Sequence, residues 1–147
     1  MDRTEPFRKF YAELIAANAG ALRNQSLVAA FASTPREHFV GAGPWKVFTR
    51  SGYLTTPGDD PAFLYQDFAV ALTENRQINN GQPLLHAACL SALQPKEGEA
   101  ALHIGAGSGY YTALLAELVG PHGSVAAYEN ETDLAQRAKD NLAAGRT

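Results

Sequence analysis

Three glycines at alternate positions, Gly105, Gly107 and Gly109, follow a short apolar run, Ala100-Ala101-Leu102-His103-Ile104. Glycine there permits positive φ and lets a ligand approach the backbone closely. Residues 111–119 carry the apolar spacing of an amphipathic helix. The start of such a helix offers free N–H groups and the positive end of a dipole. Strand, glycine turn and helix start together make a nucleotide-binding elbow. The dinucleotide fingerprint requires Gly-x-Gly-x-x-Gly; here the third glycine comes one residue early and Tyr110 holds its place. That spacing weakens the case for a nicotinamide dehydrogenase. No Gly-Lys-Ser/Thr follows, which excludes a Walker loop.

The elements around the glycines must position them. The apolar run reads as a buried parallel strand. A second strand, Gly123-Ser124-Val125-Ala126-Ala127-Tyr128, ends in Glu129. A carboxylate at the tip of that strand suits the two hydroxyls of a ribose. The glycine loop, the crossover helix and Glu129 form one β-α-β unit. The bland alternative is a turn that only packs helix on strand.

The stretch Leu102-His103-Ile104-Gly105-Ala106-Gly107-Ser108-Gly109-Tyr110-Tyr111-Thr112-Ala113-Leu114-Leu115-Ala116 resembles motif I of class I S-adenosylmethionine-dependent methyltransferases. More narrowly, it resembles the protein-L-isoaspartate O-methyltransferase family. Pro35-Arg36-Glu37-His38-Phe39-Val40, Tyr65-Gln66-Asp67 and Gln82-Pro83 with His86-Ala87 are similar to further signatures of that family, in the same order. The resemblance implies a Rossmann-like α/β fold and S-adenosylmethionine as cofactor. It implies methyl transfer to a carboxylate of a protein or peptide, isoaspartyl or related, or of a small molecule. It assigns cofactor contacts to Gly105, Ala106, Gly107, Ser108, Gly109, Tyr110, Glu129 and Asn130, and to Asn79, Asn80, Gly81 and His86.

The chain departs from the family at two positions. The loop over the cofactor's methyl group typically carries a Ser associated with the substrate carboxylate. Anchoring on Gln82-Pro83 places Gly81 there, which has no hydroxyl. Asn79 and Asn80 can donate amide hydrogen bonds, from different places. His103 stands where motif I usually carries an acid that organises the glycine loop; a neutral imidazole can do part of that work. A carboxylate acceptor is already ionised near neutral pH and needs no general base, whereas an alcohol or amine needs one. The catalytic candidates are Asn80 and Asp67; the ordinary reading of Asp67 is a loop cap. The alternative to an enzyme is a cofactor-binding half-domain, completed by a partner or a second copy and without repair activity.

Size and composition set the outer bounds. With 147 residues, 46% hydrophobic, the chain has one domain's worth of core. A net charge of −3 with no basic run argues against a nucleic-acid groove. No apolar run approaches the ~20 residues of a membrane span. The single Cys89 sits in an apolar helical stretch, reads as a buried thiol and fits a cytoplasmic location. No His, Cys or carboxylate pair has metal-ligand spacing, so no metal is expected.

The predicted organisation is N-terminal helices over 1–40, an irregular covering segment over 41–82, and the first half of a Rossmann-like domain over 83–147. Helices are predicted over 6–19, 25–33, 83–93 and 131–144, the last capped by Asn130, with Arg137 and Lys139 on its solvated face. Residues 47–50 and 52–55 are expected to form short strands or a hairpin, and Trp45, Phe48 and Tyr53 either line a cleft or cap a core. In the first helix Phe7, Phe10, Tyr11, Leu14 and Ile15 are expected to face the core. A two-stranded parallel sheet would leave apolar faces uncovered, so the chain reads as the N-terminal portion of such a fold.

Overall fold

The computed structural model describes residues 2–145; the outer ends of the first and last predicted segments, residues 1 and 146–147, lie outside the described residues. The chain runs α1 (Glu5–Asn18), α2 (Gln25–Ser33), β1 (Lys46–Thr49), β2 (Gly52–Thr55), β3 (Ala71–Thr73), β4 (Ile78–Asn79), α3 (Pro83–Leu93), β5 (Ala100–Ile104), α4 (Tyr110–Val119), β6 (Ser124–Tyr128) and α5 (Thr132–Ala144). Three two-stranded sheets result: antiparallel β1–β2, antiparallel β3–β4 and parallel β5–β6.

Helix starts follow local chemistry. Pro6 and Pro83 occupy first turns, where a missing N–H costs nothing. The Asn24 side chain accepts from Leu27 N at 3.1 Å and caps α2. Helix α5 begins one residue later than expected. Its cap position is Glu131, without a side-chain cap bond, so Asn130 is not the cap.

The apolar set of α1 divides. Tyr11, Ala12, Ile15 and Ala16 are buried, while Phe7 and Phe10 are 53% and 66% exposed and Leu14 is also exposed. The buried stripe of α1, which packs on α2 and α3, includes two alanines and places Arg8 inward. Arg8 is satisfied there by the Ala32 carbonyl at 2.7 Å and by Asp2 at 2.9 Å. The expectation that Phe7, Phe10 and Leu14 face the core is corrected accordingly.

One core joins all three predicted segments. Tyr11, Ile15, Leu27 and Phe31 pack with Tyr65, and with Ala87, Tyr110, Leu114 and Leu115. A smaller cluster of Val40, Trp45, Val47, Leu64 and Val70 lies under the β1–β2 hairpin.

Between the two clusters sits Arg36, with no exposed surface. Its guanidinium donates to the carbonyls of Leu64, Gln66 and Phe68. The rings of Tyr11, Phe68 and Tyr110 lie 5.5–5.8 Å from its centre. A planar fork of five donors suits this arrangement. Arg36 thereby fixes the segment that delivers Asp67 to the start of α3.

The β5–β6 sheet is covered on one face by α4, against which Ala101 and Val125 pack. On the other face Leu102, Ile104 and Tyr128 are 61%, 70% and 61% exposed. The strand is parallel as expected, with Ala100 opposite Ser124 and Ile104 opposite Tyr128, but it is not buried. A parallel sheet needs a layer on each face, and the described residues supply one. Cys89 is also exposed, not buried: α3 turns Pro83, Ala87 and Leu90 inward and leaves Cys89 on its outer side.

Candidate functional site

The glycine loop connects β5 to α4 with Gly105, Gly107 and Gly109 all at positive φ. Gly109, at φ 97°, is the cap position of α4, and a Cβ there would meet Ala138 and Leu142 of α5 at 3.3–3.4 Å. Conformation and close packing therefore both require glycine. On the α5 side the Asn141 amide donates to the Ser108 carbonyl at 2.9 Å.

Glu129 reaches this loop from the tip of β6. One carboxylate oxygen accepts from Gly107 N at 2.7 Å and the other from Glu131 N at 2.9 Å. His103 does not organise the loop: its Nδ1 is hydrogen-bonded to the Thr112 hydroxyl at 2.8 Å. Its side chain points toward α4, and the carboxylate that holds the loop comes from the neighbouring strand. Burial lowers the His103 pKa, opposed by the Glu129 charge.

Residues 79–81 face the loop. Asn79 accepts from Gly81 N at 2.9 Å, and Asn80 Oδ1 accepts from Val70 N at 2.8 Å. The Tyr111 hydroxyl donates to the Gly81 carbonyl at 3.0 Å. His86 lies flat on Tyr111, ring centroids 3.5 Å apart and planes within 4°. Burial, and then the His103 charge, push the His86 pKa down to about 4. Asn79, Asn80, Gly81, His86, Gly105, Ala106, Gly107, Ser108, Tyr110 and Tyr111 enclose a cavity of about 170 Å³. Asn80 Nδ2 and Ser108 Oγ are buried there without hydrogen-bond partners.

The structure thus brings most of the sequence-predicted residues to one cavity. Glu129 touches it through Gly107, and Gly109 supports it from behind. Asn130 is exposed beside Glu129 and makes no side-chain hydrogen bond. Asp67 lies outside the lining: its carboxylate accepts from Leu84 N and from the Gln82 amide, both at 2.9 Å, and so caps α3. Trp45 is core, donating its indole N–H to the Gly41 carbonyl at 3.0 Å, while Phe48 stands exposed against Tyr53 on the hairpin. None of the three lines the cavity.

Sequence reasoning missed the strap that holds the covering loop. Arg76, beside β4, is bonded to Glu131 and to Asp133, the latter at 2.6 Å. Arg137, expected in solvent, is half-buried and donates to the Leu72 carbonyl at 3.4 Å. Separations of 55 to 65 residues leave no local signal for these pairs. Elsewhere a larger cavity of about 590 Å³ lies beside α4, β6 and the end of α5. Glu117 is the one titratable side chain among the described residues of its wall, and neither Glu129 nor any residue of the glycine loop lines it. Among the described residues no His, Cys, Asp or Glu cluster is suited to a metal ion, and no helix is long and apolar enough to cross a membrane.

This β-α-β unit is that of a Rossmann-like methyltransferase domain, present here in part. A solved protein-L-isoaspartate O-methyltransferase superposes with a TM-score of 0.65 at 22% identity, over 88% of this chain and 38% of its own. A structure described as a β-aspartate methyltransferase from Plasmodium falciparum, in complex with S-adenosyl-L-homocysteine, superposes with a TM-score of 0.68 at 19% identity, over 95% of this chain and 56% of its own. The sequence model of the protein-L-isoaspartate(D-aspartate) O-methyltransferase family matches residues 11–146, and the chain belongs to that family.

Curated relatives bearing the name protein-L-isoaspartate O-methyltransferase are similar along most of the chain. The one from Methanococcus aeolicus is 33% identical over 85% of this chain and 50% of its own length. The one from Ignicoccus hospitalis is 30% identical over 95% and 57%. The one from Aeropyrum pernix is 39% identical over 61% and 34%. The chain therefore spans between a third and three-fifths of the length of these relatives.

Proposed function

We propose that the glycine-loop cavity holds S-adenosylmethionine and that the protein works in methyl transfer to a carboxylate of a protein or peptide, isoaspartyl or related. The observation that carries this reading is the convergence of the glycine loop, held by Glu129 through Gly107 N, and the Asn79–Gly81 stretch on one cavity. Two buried polar atoms without partners, Asn80 Nδ2 and Ser108 Oγ, fit a polar ligand there. A bare hydrophobic turn would not leave them.

When bound, the cofactor supplies a sulfonium that makes its methyl group electrophilic. The chain's own residues position and exclude. Glu129 offers carboxylate oxygens to a ribose diol. The start of α4 presents unpaired N–H groups. The amides of Asn79 and Asn80 face the same space, and the strap at Arg76 keeps their loop in place. The aromatic wall of Tyr110 and Tyr111 is neutral, since burial raises both hydroxyl pKa values. No general base is required for a carboxylate acceptor. We assign the three sequence segments to helical support, covering loop and cofactor half-domain. The protein, with an exposed free thiol at Cys89, is read as acting in a reducing cytoplasm.

The test is calorimetric titration with S-adenosylhomocysteine. Binding by the chain, weakened at least tenfold in Glu129→Ala, is the expected result. Absence of binding by a folded chain would overturn the cofactor reading. Binding without methylation of an isoaspartyl peptide would favour the non-catalytic half-domain.

A further inference from the structure

Arg76 joins the β3–β4 hairpin to the tip of β6 across 55 residues of sequence. Its guanidinium is bonded to Glu131 and meets both carboxylate oxygens of Asp133, at 2.6 and 3.1 Å. Glu131 belongs to the turn that leaves β6, and its N–H donates to Glu129 Oε1 at 2.9 Å. Glu129 Oε2 accepts from Gly107 N at 2.7 Å. One continuous path therefore runs from the hairpin through Arg76, Glu131 and Glu129 to the glycine loop. Each Glu129 oxygen keeps a lone pair for a ribose hydroxyl. Glu129, Glu131 and Asp133 crowd three carboxylates into five residues, and Arg76 is a cation set among them. Without it their mutual repulsion would splay the turn that aims Glu129.

The hairpin also meets the glycine loop directly. Leu72 Cδ1 stands 3.3 Å from where a Cβ on Gly107 would lie, and the Leu72 carbonyl accepts from Arg137 of α5. Yet the hairpin is lightly held. β3 has three residues and β4 two, and their register shifts between Ala71 and Thr73. Arg76 and Glu131 are about one-third exposed, so their pairing is weak alone and screened by salt. The cavity beneath has about 170 Å³. Small-molecule and cofactor sites typically have about 300–1,000 Å³, so admitting a whole nucleoside cofactor requires this cover to move.

We infer that Arg76 is a positioning residue that couples closure of the β3–β4 hairpin to the aim of Glu129. This rests on the cofactor reading above. With the hairpin down, Arg76 neutralises Glu131 and Asp133, the turn holds its shape, and the Glu129 carboxylate faces the ribose diol. When the hairpin lifts, the carboxylates lose their cation, the turn loosens and the ribose is released. Closure and sugar recognition are one event.

The test compares S-adenosylhomocysteine with its 2′-deoxyribose counterpart, by calorimetry and by stopped-flow dissociation, on the intact chain and on Arg76 variants. Arg76 is exposed and belongs to neither core cluster, so its substitution should leave the fold in place. The parent should prefer the ribose ligand about tenfold or more, the worth of one hydrogen bond to a charged group. Arg76→Gln should cut that preference to about threefold or less, by weakening the ribose ligand and speeding its dissociation. Arg76→Lys should restore part of it, since an ammonium keeps the charge without the fork. In a Glu129→Ala background Arg76→Gln should remove no further preference. Raising salt from about 0.05 to about 0.5 M should weaken ribose-ligand binding more in the parent than in Arg76→Gln. A parent blind to the sugar, an Arg76→Gln variant that weakens both ligands equally, or an additive loss with Glu129→Ala would overturn the inference. Failure of the parent to bind S-adenosylhomocysteine at all is a different result and strikes the proposed function itself.

Discussion

Arg36 and Ile104 invert the usual rule in opposite directions. Arg36 carries a permanent charge and is fully buried; Ile104 is aliphatic and 70% exposed. The difference shows that burial here is decided by what each site can be covered with. Around Arg36, a short helical turn, two neighbouring helices and the 64–68 segment supply three carbonyls and three rings. Both terminal nitrogens of the charge are hydrogen-bonded, while Nε has no partner. On the outer face of β5–β6 no described element is present to lie against the aliphatic side chains. The core around Arg36 is complete on its own terms, while the sheet face is not.

The largest effect should come from breaking the buried side of that contrast. Arg36→Leu would leave carbonyls of Leu64, Gln66 and Phe68 without donors, at about 1–3 kcal/mol for each group that water cannot reach. A loss of about 3–5 kcal/mol is expected in urea unfolding. Arg36→Lys should recover only part of it, because an ammonium cannot reproduce the planar fork. A variant within about 1 kcal/mol of the parent would show that the carbonyls re-pair and that Arg36 is not a keystone.

A smaller effect should appear on acidification, and it separates the cavity from the rest of the molecule. His86 is held neutral to about pH 4 by burial and by His103, and the His103 pKa is also lowered by burial. Unfolded histidine titrates near 6.5. Between about pH 6.5 and 4 the unfolded chain therefore binds protons that the folded chain refuses, and stability falls as pH falls. Above that window the contribution is fully present. The aspartates with lowered pKa values, Asp2, Asp60 and Asp133, lose their contributions at more acid pH. Thermal midpoints measured from pH 7 to 5 should drop for the parent chain and drop less for His86→Gln. An equal slope in both would mean that another group titrates.

The sequence was legible where chemistry is local. Gly105, Gly107 and Gly109 carry their turn in their own spacing, and Glu129 marks its strand end. The hairpin, the start of α3 at Pro83 and the span of α2 were read from neighbouring residues. What failed required partners far along the chain. The inward face of α1 was misread because Ala12 and Ala16, not Phe7 and Phe10, lie on its buried stripe. His103 was assigned to the glycine loop because its partner Thr112 lies across the turn on another element. Asp67 was weighed between chemistry and capping, and its partners at Gln82 and Leu84 could not be seen from its own neighbourhood. Arg36 was read as part of a family signature, but nothing in Pro35-Arg36-Glu37 reveals that three distant carbonyls converge on it.

The smallest expected effect tests the exposed side of the contrast. Ile104→Thr keeps a β-branched residue, so the strand's backbone preference is largely retained. What changes is one apolar surface for a more polar one. If that surface is in water in the folded chain, little burial energy is lost, and stability should stay within about 0.5 kcal/mol of the parent. Leu114→Ala, in the shared core, should cost about 2–5 kcal/mol in the same assay. A contiguous row of Leu102, Ile104 and Tyr128 also favours association. The parent's sedimentation should therefore depend on concentration more than that of Ile104→Thr. Should Ile104→Thr instead cost as much as a core substitution, the face is covered in solution by a second copy. The contrast with Arg36 would then be one of intermolecular against intramolecular cover.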